Sequence, residues 1–225
     1  RTLSVIVNAL NESGAPSQAK ALPVLGLWSM ANPGQTPAPA YTPFSFNTTV
    51  IGETRLDAQI LQTTSFRLGI ADFRGDGRPD FRYSARIFYG DTASPPRASA
   101  AGRTPVKIRG LGLQSDTSVQ IGAAAVPLLA SSAPQILVNT PAAPDGVYDV
   151  QLSDVRSGGS SHMMGVLTIG AGPNDSLKLV SGSGPAVAVG GQAAAPFSVT
   201  AVAADGVTPV PGATVQFSAS PAVAF

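Results

Sequence analysis

TPVKIRGLGLQSDTSVQIGAAAVPLLASSAPQILVNTPAAPDGVYDVQLSD, residues 104–154, carries the reading of the fold. Apolar and polar residues alternate in short runs at Val106 to Leu111, Ser118 to Ile121, Ala125 to Leu129, Gln135 to Asn139 and Gly146 to Ser153. Gly, Pro, Asn or Asp bounds the runs. Alternation at period two sends successive side chains to opposite faces of a strand, and turn residues at this spacing leave room only for hairpins and short crossovers. With the further run Met163 to Ile169, residues 95–172 predict a complete small β-sandwich. Gly110 and Gly112 let the first strand bend sharply, Gly122 supplies a hairpin turn, and Pro141 ends a strand that must leave its sheet.

Toward the N-terminus the same alternation recurs. In TLSVIVNAL (Thr2 to Leu10), Leu3, Val5 and Val7 share one face while Ser4 and Asn8 share the other. The apolar stretch Ala21 to Met30 holds the single tryptophan, Trp28, read as a core or interdomain anchor. Four prolines between Asn32 and Pro43 exclude a central strand there. Strand-like runs follow at Phe44 to Ile51, Thr54 to Leu61, Ser65 to Ala71 and Phe81 to Tyr89. In the last of these, Phe81, Tyr83, Ala85, Ile87 and Tyr89 share one face and Arg82, Ser84, Arg86 and Phe88 the other. Residues 1–94 are thus expected to form a first sandwich, and Ser94, Pro95 and Pro96 a semi-rigid spacer holding it off the second.

Residues 173–225 read as a linker and then the opening half of a third sandwich. A half-sandwich leaves an unpaired sheet edge and an open apolar face. Its missing strands are expected from further chain, a neighbouring copy or a partner, with TLSVIVNAL as a candidate donor.

Composition narrows the function classes. Charged residues make up 12%, about half the usual ~25% of soluble chains. Fourteen basic against thirteen acidic side chains leave a formal charge of +1, so no broad field is available for nucleic acid or an anionic membrane. The absence of cysteine removes disulfides, thiolate metal sites and cysteine nucleophiles together. No run approaches the ~18 consecutive apolar residues of a membrane span, so membrane insertion is not expected.

Two family resemblances follow from the motifs. Residues Pro95 to Ala171 resemble the immunoglobulin-like module known as IPT or TIG, found in plexin-type receptors, some transcription factors, and many bacterial surface proteins and carbohydrate-active enzymes. TPVKIRGLGL (Thr104 to Leu113), VQIGAAAVPLL (Val119 to Leu129), APQILVNTPA (Ala133 to Ala142), GVYDVQLSD (Gly146 to Asp154), SGGSS (Ser157 to Ser161) and VLTIGA (Val166 to Ala171) carry it, in order. The tail from Val187 to Ser220 resembles the start of a bacterial Ig-like domain of group 1, the repeat of intimin- and invasin-type adhesins. Gly190, Gly191 and Gln192, the strand Phe197 to Ala203, the turn Asp205 to Ala213 and the strand Thr214 to Ser218 carry this one. The resemblances imply an all-β chain of tandem immunoglobulin-like β-sandwiches, the last incomplete, divided at 1–94, 95–172 and 173–225.

The sharpest local motif is ADFRGDGRPDF, Ala71 to Phe81. Asp72, Asp76 and Asp80 fall at positions one, five and nine of a calcium loop, with Gly77 at six and the Arg78 backbone carbonyl at seven. It resembles the loops of integrin-type β-propeller repeats and dockerins, but Arg74 occupies the third position, where an oxygen ligand belongs. Ca²⁺ is the one cofactor considered. The alternative is a turn in which the Asp side chains bond backbone N–H groups or Arg. Arg74, Gly75 and Asp76 also spell a tripeptide that integrins recognise. Arg67, Arg74, Arg78, Arg82 and Arg86 concentrate positive charge in a sparsely charged chain, read as Arg–Asp ladders before an anion site. His162 is the single histidine; with Ser160 and Ser161 beside it but no strand-to-helix elbow, it reads as a turn residue and not a triad member.

No catalytic residue is assigned. The expected function is a non-enzymatic structural or adhesive array, secreted or on a bacterial cell surface, that forms a stalk or fibre subunit. Its partners would be further Ig-like domains or copies of itself, with a glycan or surface receptor as ligand. The competing expectation is an accessory carbohydrate-binding or spacer module of a secreted enzyme, for which Trp28, Tyr41, Phe44 and Phe46 are the candidate aromatics.

Overall fold

The computed structural model describes residues 1–17, 19, 21–30, 53–61, 63–75, 77–182, 191 and 196–217, and all their regular structure is β. In chain order the strands are β1 (Thr2–Leu10), β2 (Pro23–Met30), β3 (Glu53–Gln59), β4 (Ser65–Asp72), β5 (Arg82–Ser94), β6 (Arg97–Ala98), β7 (Pro105–Leu111), β8 (Thr117–Ile121), β9 (Ala124–Val126), β10 (Leu128–Ser132), β11 (Gln135–Asn139), β12 (Gly146–Asp154), β13 (Ser160–Ile169), β14 (Ser176–Ser181) and β15 (Ser198–Val202). One sheet has the order β10-β11-β7-β5-β1-β3 and a second β6-β13-β12-β8-β9, while β2 with β4 and β14 with β15 form two-stranded sheets.

The two large sheets enclose the main core. Phe88, Ile108 and Ile136 from the first meet Ile121, Leu152 and Met163 from the second, each at most 2% exposed. A smaller core lies on the other face of the six-stranded sheet, where Val5, Val7 and Leu56 pack on Leu25 and Leu27 of β2. The register explains the division: Val5 sits opposite Ile87 and Ser4 opposite Phe88, so period two places Val5 and Phe88 on opposite faces. This is the all-β, immunoglobulin-like sandwich class that the sequence predicts.

β5 gives Phe88 to the main core and bonds to β1, which carries the smaller one. Arg82 to Tyr89 pairs with β1, and Tyr89 to Ser94 pairs with β7 after a bulge between Gly90 and Thr92. Ser94 to Pro96 therefore does not hold two modules apart, because one sheet carries strands from both sides of it. The prolines follow a strand that ends five residues beyond Tyr89, where the alternation alone predicts its end. Nor is Thr2–Leu10 free for donation, since it is an inner strand bonded to β3 on one edge and β5 on the other.

Other differences have local causes. The single run expected over Ala125 to Leu129 is two strands. β9 pairs with β8 in one sheet and β10 with β11 in the other. Pro127 stands between them, where a residue without an N–H marks the change of sheet. The stretch expected as linker contains β14, paired with β15, whereas Thr214 to Phe217 forms no strand. The run Phe44 to Ile51, the aromatics Tyr41, Phe44 and Phe46, the Trp28 side chain and much of the tail motif lie outside what is described.

Candidate functional site

The Ala71–Phe81 loop closes on itself through main-chain and arginine contacts. Leu22 N–H donates to Asp72 Oδ1 (2.6 Å) and Arg74 N–H to Oδ2 (3.0 Å), with Arg74 Nε at 3.3 Å from the same oxygen. The Asp72 side chain is 4% exposed. The Arg78 carbonyl accepts the Phe81 N–H (3.0 Å), and the Arg74 and Arg78 guanidinium groups lie 5.7 and 5.9 Å from the Phe81 ring centre. Asp76 is outside the described residues. Among those residues no group of three or more His, Cys, Asp or Glu gathers into a metal-binding cluster. Asp72 thus fastens Leu22 to the loop, and two arginines lie over an aromatic ring.

His162 sits on β13, with Nε2 3.0 Å from Asp149 Oδ2. Gly165 N–H donates to the other Asp149 oxygen (2.7 Å). Ser161 faces away from both: its hydroxyl donates to the Thr2 carbonyl (2.6 Å) and accepts the Gly90 N–H (2.8 Å), fully buried. It joins β1, β5 and β13.

That contact is one rung of a ladder that sequence reading does not predict. β13 bonds β12 along one edge, and β6 reaches only Thr168 and Ile169 on the other. Side chains of β1 meet the first residues of β13. His162 N–H donates to the Thr2 hydroxyl (2.6 Å) and Ser160 N–H to the Ser4 hydroxyl (3.1 Å). Ser4 has one proton, and the Asp57 carboxylate takes it as the charged acceptor. Arg55 reaches the Gly158 carbonyl (2.8 Å) and Arg1 the Met164 carbonyl (3.4 Å). Hydroxyls two residues apart on β1 thus match N–H groups two residues apart on β13, because both strands share the period of two. The available signal was the polar face of TLSVIVNAL, where Thr2 and Ser4 stand in an apolar strand.

A second junction ties the tail to the sandwich. Arg97 of β6 grips Asp175 with two hydrogen bonds of 2.8 Å each, and Gly172 N–H donates to Asp175 Oδ2 (2.6 Å). The Arg97 bonds first, and the Gly172 N–H second, hold the Asp175 carboxyl below its ordinary range. The Asp205 turn packs nearby. Thr208 and Val207 donors push Asp205 down to about 2.

Between the β2–β4 layer and the six-stranded sheet lies a cleft of about 950 Å³, whose lining includes Leu3, Leu27, Phe66, Ile87, Asp91 and Arg109. Burial, then the Asp91 charge, raises the Tyr89 phenol, against the opposing pull of Arg1. Tyr89 is therefore a neutral donor at physiological pH. The cleft offers apolar contact and a few polar anchors.

These are the features of a chain of immunoglobulin-like sandwiches whose conspicuous polar chemistry lies at the junctions. Residues 91–168 match the family model of the IPT/TIG domain, beginning inside β5 and ending one residue short of the end of β13. No curated protein matches the chain. No helix among the described residues is long and apolar enough to cross a membrane.

Proposed function

We propose that the chain is a non-enzymatic structural or adhesive segment of an extracellular protein, in which immunoglobulin-like modules form a stalk or fibre subunit at a bacterial surface. In this reading residues 1–94 and 95–172 are two modules, and residues 173–225 open a third of the bacterial Ig-like group 1 kind. One observation carries it: the first junction is a continuous sheet backed by the buried Thr2–Ser161–Gly90 bonds. A spacer transmits position only if its joints are stiff, and buried hydrogen bonds resist opening because breaking one leaves polar groups without water. The IPT/TIG match supports the reading, since that resemblance implies surface proteins among its hosts.

The absence of native cysteine makes the test direct. Spin labels at Gln59→Cys and Val155→Cys, both exposed, span the junction. A stiff joint gives one narrow distance distribution, unchanged by mild heating. A broad or bimodal distribution rejects the spacer role. Antibody labelling of intact cells tests location: staining only after lysis rejects surface display.

A further inference from the structure

Where β7 leaves the six-stranded sheet, β5 continues without it. Tyr89 faces Leu111, the last residue of β7. From there back to Arg82, β5 has β1 on one edge and no strand among the described residues on the other. The departure is written into the glycines. Gly112 has φ 72°, and a Cβ there would overlap the Ile87 carbonyl oxygen. The turn it makes delivers Leu113 into the main core. Among the described residues the edge without a partner strand is Arg82 to Arg86, where the side chains are exposed or half-buried.

This edge has two unlike faces. Arg82 and Arg86 share one; Tyr83, Ala85 and Ile87 share the other, with Tyr83 54% and Ile87 38% exposed. Neither the Arg82 nor the Arg86 side chain has a hydrogen bond or ion pair among the described residues. The adjoining β1 carries no charge in TLSVIVNAL. Acids on this side, Glu53 and Asp57, stand on β3 beyond it, and Asp57 is engaged by Ser4 and Arg55. Charged side chains, shortening, bulges and proline are each used to guard an edge, and a charge that repels like strands also selects an acidic one. Here the bulge lies past the uncovered stretch, between Gly90 and Thr92.

We propose that the Arg82–Arg86 edge of β5 takes an extended peptide segment of a partner protein as an added strand. Acidic side chains at alternate positions meet Arg82 and Arg86, and apolar ones lie beside Tyr83 and Ile87. The added strand occupies the place that β7 gives up after Leu111. This goes beyond the structural role and does not depend on it.

The test is anisotropy of a fluorescein-labelled octapeptide of alternating glutamate and valine, titrated with the full chain. Binding is expected to be saturable and to weaken with salt. N-methylating one of the two sets of alternate amides should weaken it by about tenfold or more, since that set faces β5. An Arg82→Glu/Arg86→Glu double variant, altered only at exposed side chains and checked for an unchanged circular dichroism spectrum, should lose at least about tenfold and gain binding to the lysine–valine counterpart. The proposal is overturned by absence of binding to millimolar concentration or by equal binding to the double variant. Indifference to both methylation patterns also overturns it, and with competition by polygalacturonate would make the arginines a polyanion site.

Discussion

Asp72 and Asp205 show how single carboxylates hold the loops of this chain. Asp72 is nearly buried and accepts two main-chain N–H groups and an arginine, so its removal strands the Leu22 and Arg74 donors. Asp72→Ala should lower unfolding stability by about 2 kcal/mol, the scale of hydrogen bonds to a charged group. The loss should be equal in chelator and in millimolar calcium, read by urea unfolding; a loss that appears only with calcium would establish an ion-binding loop. Asp205 makes a pH prediction. Its folded pKa of about 2 lies below the ordinary aspartate value of 3.8, so its contribution is complete above 3.8 and disappears as pH falls through about 2. The Tm advantage of wild type over Asp205→Asn should be constant from pH 7 to about 4 and shrink toward pH 2. A difference that grows on acidification would contradict this sign. Both aspartates were visible in the sequence as turn formers. Their partners were not, because Leu22 reaches Asp72 across fifty residues of chain.

Strand identity was legible wherever one face is buried. β3, β7, β8, β11 and β12 fall within a residue or two of the alternating runs, since each shows one face to a core. The sequence was least informative where strands change partners. β9 and β10 divide at Pro127 inside one apparent run, and β5 changes neighbour at Tyr89 and continues through a bulge after the alternation has ended. Gly112 makes that change possible, and its role is testable. At φ 72° a β-branched side chain is strained, and its Cβ would strike the Ile87 carbonyl. Gly112→Val should destabilise the chain by about 3 kcal/mol, whereas Gly14→Val, also at positive φ but with open space around it, should cost the backbone penalty of about 1–2 kcal/mol. Equal costs for the two would mean that the close approach of β7 and β5 does not matter.

The junction is the part that local reading could not reach, because it is made of contacts between residues up to 163 positions apart. Two consecutive prolines suggest a boundary, yet before reaching them β5 puts Phe88 into the main core and bonds along β1, whose Val5 and Val7 belong to the smaller one. The six-stranded sheet thus carries a core on each face, and it cannot come apart on one face alone, so the two should open as one unit. Leu152 lies in the main core, fully buried, and far in sequence from β1. Leu152→Ala should cost about 2–5 kcal/mol. Native-state hydrogen exchange should show the loss equally at Leu152's neighbours in β12 and at Val5 and Val7 of β1. Protection in β1 that stays at its wild-type value while β12 weakens would show two separate folding units and refute the shared-sheet junction. If the units do move together, the boundary of cooperative folding lies after Ile169, and the IPT/TIG match at 91–168 covers the second half of a larger structural unit.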